Sequence, residues 1–273
     1  MRNGGSTMMI TLLPKQLLTL TNRQKLQYQL ATAEKDYFLA IVSKIIAESE
    51  LTKKIVFKGG TAIHHCYLEQ SRFSEDLDFS SFAQDITLDE VAQVLESQPF
   101  LEVKDHHVSK ATIKIERLKY SGVLDQPNSL KVEIDFIQNV ILPARRMPYK
   151  NAWGIESEVL VMNVKEICSE KVRAMSDRSR YRDFYDWYLL NQQYNFSFTE
   201  IHDLLQQKET RKVISKESIM QNWQLAKAAK QQERTTVQYR DKVVDHDDWI
   251  ENKLNALAFH PIPVNATLQK EDT

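Results

Sequence analysis

The chain has 273 residues, 42% of them hydrophobic and 27% charged, and a net charge of −1. That length buries a full core in one large domain or two smaller ones without disulfide or metal staples, and the near-neutral balance excludes a uniformly basic nucleic-acid-binding domain. Local basic patches remain, for instance Arg145-Arg146 and the stretch from Arg173 to Arg182. No apolar run approaches membrane-spanning length, and residues 1–9 lack the apolar core of a secretory signal. Cys66 and Cys168 are too few and too isolated for a disulfide framework or a zinc site, so two buried thiols in a reducing cytoplasm are expected.

In chain order, residues 1–22 carry little pattern and read as a weakly structured end. From 33 to 48, Tyr37, Phe38, Ile41, Val42, Ile45 and Ile46 recur at three- and four-residue spacing, which predicts an amphipathic helix. Residues 54–57 read as a short strand entering a Gly59-Gly60 turn, followed by a helix over 61–68 and a second strand over 76–79. Thr87 is the expected N-cap of a helix over 88–95. Extended segments follow at 101–108, 111–120 and 130–137, rich in β-branched residues, with Gly122, Asp125, Pro127 and Asn128 marking a turn between the last two. From Asn163 the pattern is helical, at 164–175, 181–190, 199–205, 218–229 and 245–257. The expected class is α+β: a small mixed-sheet domain over 23–150, a helical domain over 151–260, and a loose tail over 261–273.

Two pieces of this pattern carry chemistry. If Asp76-Leu77-Asp78-Phe79 is a strand, its period of two puts both aspartates on one face and Leu77 and Phe79 on the other. Paired carboxylates repel each other, and a divalent cation such as Mg²⁺ relieves that repulsion while substrate phosphates complete its shell. Gly59 and Gly60, lacking a Cβ, let backbone approach an anion, and a helix starting at Thr61 would aim free N–H groups at it. A third acid is expected on a neighbouring strand, and Lys131-Val132-Glu133-Ile134-Asp135-Phe136 offers Glu133 and Asp135 on one face. Either fits. Ser74 fits a phosphate contact or a turn cap equally well. His64-His65 and His106-His107 are adjacent pairs whose rings diverge, so they read as structural. Tyr185, Trp187 and Tyr188 read as core at helical spacing, with base stacking as the alternative.

Strand, glycine turn, helix and strand with D-x-D is also the order of the nucleotidyltransferase fold shared with polymerase beta. More specifically, Lys58-Gly59-Gly60-Thr61-Ala62, then Arg72 to Phe79, then Lys165-Glu166-Ile167 with Glu170-Lys171-Val172-Arg173-Ala174, and finally Arg180 to Asp186 resemble the AbiEii/AbiGii-type nucleotidyltransferase toxins. The motifs occur in family order over about 130 residues. The resemblance implies an NTP-dependent nucleotidyltransferase, the toxin of a type IV toxin–antitoxin or phage-defence system. It further implies Mg²⁺, an RNA acceptor, foremost a tRNA 3′ end, and a winged-helix antitoxin of the AbiEi kind.

The roles it implies are these: Lys58, Gly59, Gly60, Thr61 and Ser74 bind the nucleotide, Asp76, Asp78 and Asp135 or Glu133 hold metal and activate the acceptor, and Lys171 and Asp186 complete the site from the helical domain. On the predicted helix Lys171 faces away from the stripe of Val164, Ile167, Cys168 and Met175, free to meet a developing phosphate charge; the plainer alternative pairs it with Glu166 or Glu170 at the surface. Asp183 either belongs with the nucleotide or pairs with Arg173, Arg180 or Arg182, and Arg182 itself is a candidate phosphate ligand. A non-catalytic nucleotide-binding regulator and an enzyme that modifies protein are the alternatives to RNA modification.

Overall fold

A computed structural model describes residues 9–240 and 246–265. Its first helix, α1 (Lys15–Thr21), starts after Pro14 and runs into a π-type turn at Asn22–Leu26. This corrects the expectation of a weakly structured end over its described part. Leu18 is fully buried and the Leu13 N–H donates to the Tyr37 hydroxyl at 2.9 Å, so packing supplies the order that a short pattern does not advertise. Residues 1–8 lie outside the described residues.

Helix α2 (Leu30–Ala47) covers the expected amphipathic segment, but it is buried nearly all round. Its polar members are therefore paired inside. Glu34 accepts from the Leu124 N–H at 2.8 Å, and Asp36 accepts from the Trp153 indole at 2.8 Å.

The chain then lays down β1 (Ile55–Lys58), a single helical turn α3 (Gly59–Ala62) continued by a π-type turn at Ile63–Tyr67, and β2 (Asp76–Ser81). Helix α4 (Leu88–Leu95) opens with the expected Thr87 cap. It is a full capping box: Thr87 Oγ1 accepts from the Glu90 N–H, and the Glu90 carboxylate accepts from the Thr87 N–H. Strands β3 (Leu101–Val108), β4 (Thr112–Tyr120) and β5 (Asn128–Asp135) form an antiparallel meander, and β5 runs parallel to β2. Two further strands, β6 (Arg145–Pro148) and β7 (Glu158–Val161), were not expected, being four residues each without clear alternation. The order is β3-β4-β5-β2-β1-β7-β6, a mixed sheet as the sequence suggested.

Helices α5 (Val164–Asp177), α6 (Tyr181–Tyr194), α7 (Phe198–Gln206), α8 (Lys216–Thr236) and α9 (Asp247–Asn255) follow. Asn163, Ser197 and Ser215 cap α5, α7 and α8 with side-chain oxygens. Glu233 of α8 accepts from the Tyr181 and Arg182 N–H groups, satisfying the otherwise uncapped start of α6. The expected tail begins later than residue 261, because Ile262 is buried and pairs with Ile214 in an isolated bridge; residues 266–273 lie outside the described residues. Among the described residues no helix is long and apolar enough to cross a membrane.

The chain divides into two compact units, but not at residue 150. The first comprises residues up to Phe57, Glu75–Phe136 and Arg146–Leu160, and the second comprises Lys58–Ser74, Ile137–Arg145 and the chain from Val161. The first holds nearly all of the sheet, its core marked by Phe38 stacked on Tyr120 with ring centroids 4.0 Å apart. The second is helical around Trp223, which is fully buried against Tyr181 and Phe184. The glycine turn thus belongs to the helical unit while the D-x-D strand belongs to the sheet unit.

Candidate active site

In the first unit, the alternation of β2 does what the parity argument required. Leu77 and Phe79 are buried, whereas Asp76 and Asp78 are partly exposed on the other face. The parallel register sets Asp76 beside Lys131, Asp78 beside Glu133 and Ser80 beside Asp135, and the antiparallel register continues these rows to Lys114 opposite Glu133 and Thr112 opposite Asp135. Residues paired across strands share a face, so one polar surface carries Asp76, Asp78, Glu133 and Asp135, with Leu77, Phe79, Val132 and Ile134 packed beneath. Two lysines stand among the acids. Lys114 Nζ is 3.1 Å from Glu116 Oε1 and 3.9 Å from Glu133 Oε2, and Lys131 Nζ is 3.8 Å from Glu116 Oε2. Its hydrogen bond to Glu116 first, then the charges of Glu133 and Asp76, hold the Lys114 ammonium above its ordinary pKa despite partial burial.

In the second unit, Gly59 takes a left-handed φ of 79° that admits glycine at little cost. Gly60 is required by close approach: a Cβ there would lie 2.7 Å from Arg72 Nη2 and 2.7 Å from Ser74 Oγ. Arg72 cannot retreat, because it is buried and clamped on Asp186, donating from Nε at 2.8 Å and from Nη2 at 2.6 Å. Asp186 also receives Lys171 Nζ at 2.7 Å and His64 Nε2 at 3.0 Å. Lys171 reaches on to Asp183 Oδ1 at 3.0 Å, and Arg178 Nε donates to Asp183 Oδ2 at 2.8 Å. Both aspartates are fully buried, and Lys171 is 8% exposed.

The electrostatics follow from that packing. Burial alone would raise both aspartates, but Arg72 and Lys171 hold Asp186 well below the carboxylate range, while Lys171 and Arg178 depress Asp183. Burial pushes the His64 imidazole below its ordinary value, so it is neutral near pH 7 and donates its Nε2–H to the carboxylate. A second buried network meets the glycine turn through Lys58, 3.7 Å from Glu170 Oε2. Lys208, fully buried, bridges Glu170 at 3.0 Å and Glu166 at 2.5 Å. Burial would raise the Glu170 carboxyl, yet Lys58, Lys208 and Arg173 bring it down to about 2.

Comparison with known families now decides the assignment. The family model described as "Nucleotidyl transferase AbiEii toxin, Type IV TA system" matches residues 40–252. The chain belongs to the AbiEii family. It is accordingly a nucleotidyltransferase toxin of a type IV toxin–antitoxin system, with a nucleotide as substrate and an antitoxin as partner. Its fold is shared with MenT4, a nucleotidyltransferase toxin from Mycobacterium tuberculosis H37Rv, at a TM-score of 0.60 and 17% identity over 89% of this chain and 99% of that one. An antigenic nucleotidyltransferase-like protein from Paracoccidioides brasiliensis is more distant, with a TM-score of 0.42 and 16% identity over 63% of this chain and 85% of that one. A comparison with curated protein sequences found no match.

Within this AbiEii toxin the expected site residues fall into two sets. Asp76, Asp78, Glu133 and Asp135 share one sheet face of the first unit. Lys58, Gly59, Gly60, Thr61, Ser74, Lys171, Arg182, Asp183 and Asp186 belong to the second, where Lys171, Asp183 and Asp186 form one ion network. That network corrects two expectations. Asp183 pairs with Lys171 and Arg178 rather than Arg173, Arg180 or Arg182, and Lys171 does not face away from the apolar stripe: seven residues after Val164 and four after Ile167, it shares the buried side of α5, with its ammonium on Asp183 and Asp186. Tyr185 and Trp187 are core, as their spacing suggested, and Tyr188 stacks on His246 at 4.0 Å. Cys66 and Cys168 are free and buried, and burial pushes the Cys168 thiol up to about 12.

The sequence reading missed Arg72, His64 and Lys114. Arg72 stood in the quoted motif, and an arginine two residues from the turn's serine is its only sequence signal. The divergence of His64 from His65 says nothing about whether one of the pair meets an aspartate 122 positions away. Lys114 was visible only as an alternation on β4, whose register no local pattern reveals.

Proposed function

We propose that this toxin transfers a nucleotidyl group from an NTP to an RNA hydroxyl, foremost a tRNA 3′ end, in a Mg²⁺-dependent reaction in the cytoplasm, within a toxin–antitoxin or phage-defence system with a winged-helix antitoxin. The observation that carries the reading is the row Asp78–Glu133 beside Asp76, acids from adjacent strands on the polar face of a sheet whose other face is core.

The donor set suits Mg²⁺. All the candidate ligands are carboxylate oxygens, and Mg²⁺ is ordinarily held by one or two carboxylates with substrate phosphates rather than by an all-protein cage. Among the described residues, no group of three or more His, Cys, Asp or Glu side chains is gathered as a metal cage. Asp76 and Asp78 are the residues that would hold the ion, and when bound it would neutralise charge on the phosphates and on the attacking oxygen.

The remaining roles belong to the chain itself. The acceptor hydroxyl oxygen attacks the α-phosphorus, a new P–O bond forms, the bond to the bridging oxygen breaks and pyrophosphate leaves. Glu133, in the row of Asp78, is our first choice to take the hydroxyl proton, with Asp135 in the next row as second. Gly59, Gly60 and Thr61 receive the triphosphate, helped by Lys58 and Ser74, with the Arg72 guanidinium immediately behind Gly60 adding positive charge where no side chain intervenes. Lys171 meets the transferred phosphoryl group. Asp186 and Asp183 act through the cations they grip, Arg72, Lys171 and Arg178, and are positioning residues. Arg182 contacts RNA phosphate.

Incubation with labelled NTPs, Mg²⁺ and total tRNA tests this directly. Label should enter tRNA with the natural protein, Asp78→Ala should lower the rate by at least about a thousandfold, and Glu133→Gln should cost more than Asp135→Asn. Equal labelling by Asp78→Ala overturns the site assignment. Label in protein instead of tRNA replaces the acceptor, and NTP binding without pyrophosphate release across many acceptors replaces the enzyme by a regulator.

A further inference from the structure

The acid face of the sheet carries cations of its own, and their arrangement is regular. Three rows cross β4, β5 and β2: Thr112–Asp135–Ser80, then Lys114–Glu133–Asp78, then Lys131–Asp76 with Glu116 beside Lys131. Asp76, Asp78, Glu116, Glu133 and Asp135 share the surface with Lys114 and Lys131. Lys114 sits nearest the middle, 3.1 Å from Glu116 and 3.9 Å from Glu133, with its side chain about one-third exposed. Its ammonium also feels Asp76. A partly exposed lysine is flexible and keeps most of its hydration, so it can leave at modest cost.

We propose that Lys114 is a resident counter-ion of the acid face, which keeps the carboxylates from repelling one another when no metal is bound and which a divalent cation must displace or outweigh in order to bind. This rests on the metal reading of Asp76 and Asp78 given above. Lys114 pairs with Glu133, which stands beside Asp78, so its ammonium and a cation held by Asp76 and Asp78 would repel each other, and the lysine lowers the metal affinity. It thereby makes occupancy depend on a metal that arrives with its own anions: an NTP brings phosphate charge that offsets the lysine, whereas the bare ion does not. Metal binding is accordingly coupled to nucleotide binding, and the coupling runs both ways.

The test is binding of Mn²⁺, followed by its EPR signal, with and without a non-hydrolysable NTP analogue. Lys114→Met should bind bare Mn²⁺ about five- to tenfold more tightly, the effect of removing one like charge from a partly solvated site, and the gain in affinity from added nucleotide should shrink by a similar factor. Lys114→Arg, keeping the charge, should restore both values toward the natural protein, which separates a charge effect from damage to β4. Unchanged or weaker binding by Lys114→Met overturns the proposal. Asp78→Asn separates this failure from that of the reading beneath it. If Asp78→Asn loses Mn²⁺ binding while Lys114→Met is unchanged, only the counter-ion is wrong; if Asp78→Asn binds like the natural protein, or no form binds, the metal site itself falls and the counter-ion with it.

Discussion

The two units treat aspartate in opposite ways. On the sheet face of the first, Asp76 and Asp78 are partly exposed, supported from beneath by Leu77 and Phe79 and set beside Lys131 and Glu133 of the neighbouring strand. In the second, Asp186 is fully buried and accepts from Arg72, Lys171 and His64. The first arrangement keeps its carboxylates partly open to solvent, where a ligand can meet them. The second encloses its carboxylate among those partners, which fixes where Arg72 and Lys171 point. Identity as an acid in a motif therefore does not say whether a residue binds or positions; its burial does.

The sharpest way to break this comparison is to remove one acid from each. Asp186→Ala strands Arg72 and Lys171 without their carboxylate and should lower folding stability by about 3–5 kcal/mol, read as a shift in the urea midpoint. Asp78→Ala should cost less than about 1 kcal/mol while abolishing transfer. Similar losses from both would mean the sheet acids are as structural as the buried ones.

Acid should separate the networks next. The folded Glu170 carboxyl titrates at about 2 against an ordinary 4.5, so its contribution is complete above pH 4.5 and disappears as the pH falls toward 2. Asp183 and Asp186 are depressed in the same direction and add to the loss. Urea midpoints measured from pH 5 to pH 2 should fall steeply, by about 2–3 kcal/mol for Glu170 alone, and Glu170→Gln should flatten part of that slope.

Glycine substitutions give a smaller contrast. Gly60→Ala forces a methyl against a clamped arginine and should cost about 1–3 kcal/mol together with NTP affinity. Gly154→Ala meets nothing within 4 Å, so only the strain of its φ of 75° counts, about 1 kcal/mol with NTP binding unchanged. Smallest is Thr112→Val, which removes a hydroxyl bonded to the Ile134 carbonyl at 3.0 Å and to Glu133 at 3.4 Å; below about 1 kcal/mol is expected because the group is partly solvated.

Much of this was legible beforehand. The period of two in Asp76 to Phe79 and in Lys131 to Asp135 predicted which residues face the core, though not beyond the strand's end, where Phe136 is only half-buried, and Thr87 predicted the start of α4, because strand alternation and helix capping are local properties of the backbone. The order of four motifs identified the family for the same reason: each is a short, contiguous string. Beyond those strings the sequence was weaker. The helix at 15–21 and the strands at 145–148 and 158–161 are too short to carry a period, and they exist because neighbours already in place bury Leu18 and extend the sheet.

What the sequence by itself determined, then, is the set of chemical groups and the face of the element on which each stands. Only the tertiary structure decided their partners. It assigned Gly59 and Gly60 to the helical unit, sent Arg72 and His64 to Asp186 more than a hundred positions away, gave Glu170 to Lys58 and Lys208, and laid Lys114 across from Glu133. Charge pairing is a property of distance in space and of the dielectric around the pair, and neither is written in the spacing along a chain.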